Sequence, residues 1–550
     1  MRKCLVGILC LVSFSLWLFA ADNEKVDLGV LHRIKSEAFG GNSRVMDTLF
    51  YLTDVYGPRL TGSPNIHDAA DWSVKKMKDW GLANAKLETW GPFGRGWVAT
   101  RFSAMMKEPE FQPIIGFAQP WSPGTNGPVS GQAVMAVING PDDLEKFKGK
   151  LMGKIVLAAA MHPSTLSEDP LSRRLTEAEL DAAATAPDPS SGNPAMLPLG
   201  FFRPGAAGRG AAPGGPGGRG GPTGAGGRGA AMAFRTQLNK FLREEGALVV
   251  LTPGNGPDGG TIMGQAAGSA TTKDEDLPPP SVVLTNEHYN RIARLLDKNI
   301  PVTLEFDLGA RFTDSGDSFN IAAEIPGADL NGGFVMLGGH FDSWTGGTGA
   351  TDNGAGSAVA LEAIRILKAL DLKMPRTIRL GLWTAEEQGL LGSRAYVKEH
   401  FADPADMKTK PEHARLSAYY NIDNGSGKVR GIYMQDNDQV RPIFETWIAP
   451  LKDLGVTTLT IRNTGSTDHM AFDGVGLPAF QFIQDPLEYG TRTHHSNMDV
   501  YDHLSANDLE QASAVMAWFV YNTATRPDMI PRKPMPNPGA GRGGRGGTGQ

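Results

Sequence analysis

The chain has 550 residues, 41% of them hydrophobic and 20% charged. That length exceeds one ordinary hydrophobic core, and that balance excludes wholesale disorder. A net charge of -6 gives no general pull toward nucleic acid or an anionic membrane, so a globular protein of two or more domains is expected.

The first residues read as a secretory signal, residues 1–21. Arg2 and Lys3 precede the apolar run Cys4 to Phe19, and Ala20 and Ala21 lead into a polar start at Asp22. The run is shorter than the roughly 20 apolar residues of a membrane span. Export, periplasmic or secreted, is therefore expected, with no stable membrane span unless the signal stays uncleaved. Both cysteines, Cys4 and Cys10, lie inside this segment. The mature chain would have no disulfide, and any metal would be held by His, Asp and Glu.

Residues 22–110 read as an N-terminal helical part. Met46 to Leu52 and Asp68 to Trp80 carry apolar residues at helical spacing. Between them lies the loop Gly57-Pro58-Arg59-Leu60-Thr61-Gly62-Ser63. Residues 111–310 change to short β-type runs, such as Val134 to Val137, Lys154 to Leu157, Ala247 to Leu251 and Ser281 to Leu284. They read as a separate β-rich domain.

That domain is interrupted by a Gly-, Ala-, Pro- and Arg-rich insertion, 204–231, and the tail 528–550 has a similar composition. Both are expected to be disordered, because they offer too little apolar surface to offset the entropy of ordering. Their Arg-Gly pairs resemble RNA-binding tracts but lack interleaved aromatics for stacking on bases, so no nucleic-acid partner is expected.

Residues 311–527 alternate strand and helix. Gly333 to Leu337, Thr377 to Trp383, Ser417 to Ile422 and Pro478 to Ile483 read as strands, and Gly354 to Leu370 and Leu509 to Tyr521 as helices. The expected fold class is α/β, a layered sandwich whose function gathers beyond the strand carboxyl ends.

The chemistry-bearing residues fall largely there. His340-Phe341-Asp342 closes the first strand, Asp352-Asn353-Gly354 opens the following helix, Glu386-Glu387 follows the second strand, and Asp423 follows the third. His494-His495 comes late. Singly, each piece is more often a solvated loop or a helix cap than a ligand. Together, imidazoles and carboxylates without thiolate suit zinc, with manganese or cobalt as alternatives.

These pieces, with the Gly-Pro-Arg-Leu-Thr-Gly-Ser loop and Leu382-Trp383-Thr384-Ala385-Glu386-Glu387-Gln388-Gly389, resemble peptidase family M28 and especially its carboxypeptidase Q branch. The resemblance implies a three-layer sandwich around a central mixed sheet, joined by a protease-associated-like domain over 111–310. It also implies two zinc ions bridged by Asp352, one completed by Glu387 and His495, the other by His340 and Asp423.

By the same resemblance, Asp342 would orient His340, and Glu386 would be the general base for attack of water on a peptide carbonyl. His494 would serve an oxyanion, and Asp468 would line the pocket. The implied function is an exported di-zinc exopeptidase, an aminopeptidase or dipeptidase. A carboxypeptidase, or a non-catalytic receptor-like member, is the alternative. Peptides or dipeptides are the expected partners, and a homodimer is left open.

Overall fold

The computed structural model describes residues 24–162, 170–189, 198–201, 225–254, 256, 259–329 and 331–538. The signal segment 1–21 lies outside them, as do 204–224 of the Gly-rich insertion and 539–550 of the tail. Among the described residues no helix is long and apolar enough to cross a membrane.

A mixed sheet organises the second half of the chain. Its order is Thr458–Thr460, Val429–Tyr433, Ala479–Gln484, Leu416–Asn421, Phe334–His340, Thr377–Trp383 and then the long strand Thr303–Ile325. The three strands Thr377–Trp383, Phe334–His340 and Leu416–Asn421 run parallel in the centre. Thr303–Ile325 runs antiparallel to Thr377–Trp383, and Val429–Tyr433 antiparallel to Ala479–Gln484.

The central strands are buried on both faces, and alternation divides their side chains between two cores. Val335 and Leu337 face the helices Ala355–Ala369 and Ala506–Thr525, together with the N-terminal helices. Phe334 and Met336 face Tyr396, Val397 and Phe472 on the other side. Helices thus cover both faces, and the three-layer sandwich is present.

The first strand ends against its neighbours with no room to spare. A Cβ on Gly338 would lie 1.8 Å from the Gly381 carbonyl oxygen, and one on Gly339 would lie 2.9 Å from that of Ile422. Two glycines immediately before His340 therefore let three parallel strands converge where the polar residues emerge.

The N-terminal part departs from the helical expectation. Helices Leu28–Ala38, Val45–Phe50 and Pro64–Asp79 are present, but residues 83–108 form one long strand, Ala83–Glu108. It pairs antiparallel with Thr303–Ile325 from Ala83 opposite Glu324 to Glu108 opposite Thr303. One end of this ribbon edges the mixed sheet, and the other continues through Val129–Met135 into the strands of residues 111–310.

Residues 111–310 are less purely β than expected. Strands Val129–Met135, Ile155–Leu157, Val249–Pro253 and Ser281–Leu284 run with the helices Ala225–Glu244 and Asn286–Asp297. The first of these helices begins inside the stretch expected to lack structure, so 225–231 is helical rather than disordered. The amphipathic segment behind it explains this: Leu238 and Leu242 are buried, anchoring a helix that extends back into the glycines.

The tail is likewise ordered further than its composition suggests. Ile530 is buried, and Arg532 donates to the carbonyls of His413 and Leu416 at 2.8 and 2.7 Å. Residues 528–538 thus run along the body that carries the mixed sheet, because one apolar anchor and an arginine fork offset the cost of ordering.

Replacing Gly338 with Ala tests the strand convergence. Overpacking at 1.8 Å from backbone should cost about 3 kcal/mol, the upper end for a crowded core. Chemical denaturation would read this, and a Gly338→Ala variant as stable as the original would contradict the packing.

Candidate metal centre

Each functional side chain stands where a strand stops. His340 is the last residue of Phe334–His340, Glu386 and Glu387 follow Thr377–Trp383, and Asp423 follows Leu416–Asn421. Asp352 lies in the irregular turn that precedes the helix Ala355–Ala369, next to a cis peptide bond to Asn353. Parallel strands in register bring these loops to one edge.

Asp352 is the hub. Its Oδ1 lies 3.3 Å from His340 Nε2, which is also 3.3 Å from Asp423 Oδ1. Its Oδ2 lies 3.2 Å from His495 Nε2, which is 2.9 Å from Glu387 Oε2. One carboxylate thus offers one oxygen to each of two His–carboxylate clusters, and it is buried. His494 stands further off, its Nε2 3.9 Å from Asp352 Oδ2 and its ring stacked on His495 at 3.7 Å.

The ligand atoms of His340, Asp352 and Asp423 lie within 4.8 Å of one another, as do those of Asp352, His494 and His495. Glu387 Oε1 is buried with no hydrogen-bond partner. A buried carboxylate oxygen left unpaired is costly unless a cation meets it. The donor set, all imidazole and carboxylate, fits zinc or a related divalent ion.

Asp342 stands beside His340, where its carboxylate helps to hold the imidazole protonated. The Nδ1 of His340 lies 3.1 Å from the backbone carbonyl of Asp342 and 3.5 Å from its carboxylate. The same carboxylate also accepts the backbone N–H groups of Glu386 and Glu387, at 3.2 and 3.4 Å. Asp342 thereby ties the loop of the first strand to that of the second.

The site is crowded with acid. Burial drives Glu386 well above the usual carboxylate range; Asp423, Asp468 and Glu387 add to the shift, and His340 opposes it. Burial likewise raises Glu387 and Asp423. Burial works against charge on His340, yet the carboxylates around it outweigh that and hold it well above the usual imidazole range. His495 is pushed up to about 10, where Glu387 and Asp352 outweigh burial.

Asp468 is fully buried behind this group and pushed up to about 7, chiefly by burial. Its neighbour His469 is held down to about 4 by burial and makes contacts to Gln435 and the Thr464 carbonyl. His469 is therefore a packed, neutral histidine.

Several residues at the site carried no signal in the sequence. Asp499 accepts from Thr351 N at 2.6 Å and from Asp352 N at 3.3 Å, fixing the hub's backbone. Tyr489 is buried beside Asp352, and burial with the carboxylates of Asp352, Asp423 and Glu387 lifts its phenol well above the usual range. Trp344 sets its ring edge-on to His495 at 6.1 Å. An aromatic or acidic residue in a loop is too common to stand out without its neighbours.

Segments between residues 170 and 265 also reach the site. Gly264 N donates to the His495 carbonyl at 3.1 Å, and Gln265 Nε2 lies 3.5 Å from His495 Nδ1. Arg173 N donates to the Leu487 carbonyl at 3.2 Å, and Phe201 sets its ring edge-on to His494 at 5.2 Å. The loop carrying His494 and His495 is gripped from two sides by segments far away in sequence.

Residues 320–520 match the family model described as Peptidase family M28, a span that holds all the ligand candidates. Over that span the chain is similar to peptidase family M28. Carboxypeptidase Q of Pongo abelii is 26% identical over 494 residues, covering 89% of this chain and 87% of that protein.

Two solved structures share the fold of this chain. The peptidase M28 precursor from Shewanella amazonensis SB2B has a TM-score of 0.62 at 24% identity, covering 92% of this chain and 98% of that one. BSAP, a zinc aminopeptidase from Bacillus subtilis, has a TM-score of 0.51 at 20% identity, covering 88% and 95%.

The electrostatics predict how metal affinity varies with pH. A cation needs neutral imidazoles and ionised carboxylates, whereas the metal-free site holds protons on His340 and His495. Those protons must leave on binding, so affinity rises as pH rises. Competition with a chelator between about pH 6 and 8 should show zinc affinity climbing about tenfold per pH unit for each proton released. A flat profile would contradict the protonated apo-site.

Proposed function

We propose that this chain is an exported two-zinc exopeptidase that hydrolyses the terminal bond of short peptides or splits dipeptides. The observation that carries the reading is Asp352, one oxygen toward His340 and Asp423, the other toward His495 and Glu387. A carboxylate used this way spans two cations about 3.5–4 Å apart. Export rests on the signal pattern of residues 1–21.

His340, Asp352 and Asp423 would hold one ion, and His495, Asp352 and Glu387 the other. When bound, zinc would supply Lewis acidity, easing deprotonation of water and polarising a peptide carbonyl. The remaining work falls to side chains. Glu386, whose direction at the strand end differs from that of Glu387, takes the proton of the attacking water and returns it to the leaving amine.

Asp342 supports this by accepting the Glu386 and Glu387 amides. Its role is thus to hold the base's backbone rather than to meet substrate. His494 and Tyr489 line the Asp352 side and are the donors available there to a developing oxyanion.

Amine recognition is favoured at the chain end. Glu386, Glu387 and Asp468 crowd the site with acid, and Arg492, a candidate for a terminal carboxylate, lies 3.2 Å from Glu488. Carboxypeptidase action is the second reading, carried by the match to carboxypeptidase Q along most of the chain.

Glu386→Gln should keep its zinc and lose about 10²–10⁴ in turnover, the contribution of a positioned acid–base group. The assay compares N-blocked, C-blocked and free dipeptides, with metal content measured in parallel. Cleavage only of free-amine substrates supports the aminopeptidase or dipeptidase; cleavage only of free-carboxylate substrates turns the function to carboxypeptidase. A metal-loaded Glu386→Gln variant with full activity would overturn Glu386 as the base.

A further inference from the structure

The loop Gly57-Pro58-Arg59-Leu60-Thr61-Gly62-Ser63 lies outside the span that matches the family, yet it reaches the centre of the site. Arg59 is fully buried, and no ion pair joins it to a carboxylate among the described residues. Its guanidinium instead donates to backbone carbonyls alone. Nε donates to Phe341 O at 2.8 Å, Nη1 to Leu52 O at 2.7 Å and Thr348 O at 3.1 Å, and Nη2 to Gly349 O at 2.9 Å.

Those acceptors belong chiefly to two particular loops. Phe341 lies between the ligand His340 and Asp342, and Thr348 and Gly349 lie just before the hub Asp352. The backbone of Arg59 repeats the grip: its N–H donates to Ser343 Oγ at 3.0 Å, and its carbonyl accepts from Ser343 N at 3.1 Å. Two residues on, Thr61 Oγ1 accepts the Ala385 amide at 2.9 Å, next to Glu386. One N-terminal loop thus holds the backbones that carry His340, Asp352 and Glu386.

A buried guanidinium without a contacting counter-ion is expensive to keep unless its surroundings repay it. Here Asp499, Asp342 and Asp352 supply the field, while burial opposes it and brings Arg59 down to about 10. The fork geometry matters as well as the charge. A lysine ammonium is a compact point donor and cannot reproduce a planar fork that engages both loops at once.

We propose that Arg59 is a positioning residue that fixes the spacing between the His340 loop and the Asp352 loop, presetting the site before a cation arrives. It rests on the two-zinc reading for its consequence, and on hydrogen bonds of the metal-free protein for its cause. A purely structural arginine would contribute to global stability and leave the binding properties of the folded protein alone.

The test compares wild type, Arg59→Lys, Ser343→Ala and Trp518→Ala. Trp518 is buried in the helix Ala506–Thr525, away from the site loops, and serves as a control for lost stability. Zinc affinity is measured by chelator competition well below every unfolding midpoint. The visible spectrum of the cobalt-loaded protein and amide exchange at Gly354 in the metal-free protein are recorded alongside.

Arg59→Lys should lose about 10–100-fold in zinc affinity, as groups that orient ligands do. It should also alter the cobalt spectrum and speed exchange of the Gly354 amide, which donates to Gly349 O at 3.0 Å. Ser343→Ala, a small change that keeps the fold if the lysine variant does not, should move the same readouts in the same direction. Trp518→Ala should lower the midpoint and leave affinity and spectrum unchanged.

Wild-type affinity, spectrum and exchange in both loop variants would overturn the proposal, as would losses no greater than those of Trp518→Ala. Wild type that binds no zinc would sink the two-zinc reading instead, and the exchange comparison in metal-free protein would still judge Arg59.

Discussion

Carboxylates brought together out of water repel one another, and that constraint shapes most of this site. Asp342, Asp352, Glu386, Asp423, Asp468 and Asp499 are all buried, with Glu387 beside them. At low effective dielectric, ionised neighbours a few ångströms apart are strongly unfavourable. In the metal-free protein burial pushes Glu386, Glu387, Asp423, Asp468 and Asp499 upward, Asp352 is held well below the usual range by His340 and His495, and those two imidazoles keep their protons. Divalent cations at the two clusters would meet the constraint differently, by exchanging those protons for metal charge.

The scaffold's irregularities follow from serving that cluster. Strands converge through Gly338 and Gly339 to deliver His340. Asp499 and Arg59 hold the backbone that leads into Asp352, Asp499 through the Thr351 and Asp352 amides and Arg59 through the Thr348 and Gly349 carbonyls. Two segments distant in sequence close on the His495 loop, with Gly264 and Arg173 contributing backbone hydrogen bonds. A site assembled from so many separate segments gains rigidity from contacts between them rather than from any one helix or strand.

Much of this was legible in the sequence for a local reason. A buried parallel strand is a continuous apolar run, and the polar residues that end it are the next few in the chain. His340, Glu386, Glu387 and Asp423 are of that kind, and the structure brings them together with Asp352 and His495. Asp342 was legible as a neighbour of His340, but its second grip on the Glu386 and Glu387 amides was not, because orientation around a turn is not written in composition. The long strand Ala83–Glu108 was hidden: Gly91, Pro92, Gly94 and Gly96 break its pattern, and its surroundings change as it passes from the mixed sheet to the strands of residues 111–310. Arg59, Tyr489 and Asp499 matter only through residues distant in sequence. Ile530 and Arg532 order a tail whose proline and glycine content suggested none.

The central claim is that Asp352 joins two cation sites. Anomalous diffraction at the zinc edge from crystals of the zinc-loaded protein addresses it directly. Two peaks are predicted, about 3.5–4 Å apart, one beside His340 and Asp423 and the other beside His495 and Glu387, with Asp352 between them. A single peak, or a pair that Asp352 does not bridge, would contradict the account.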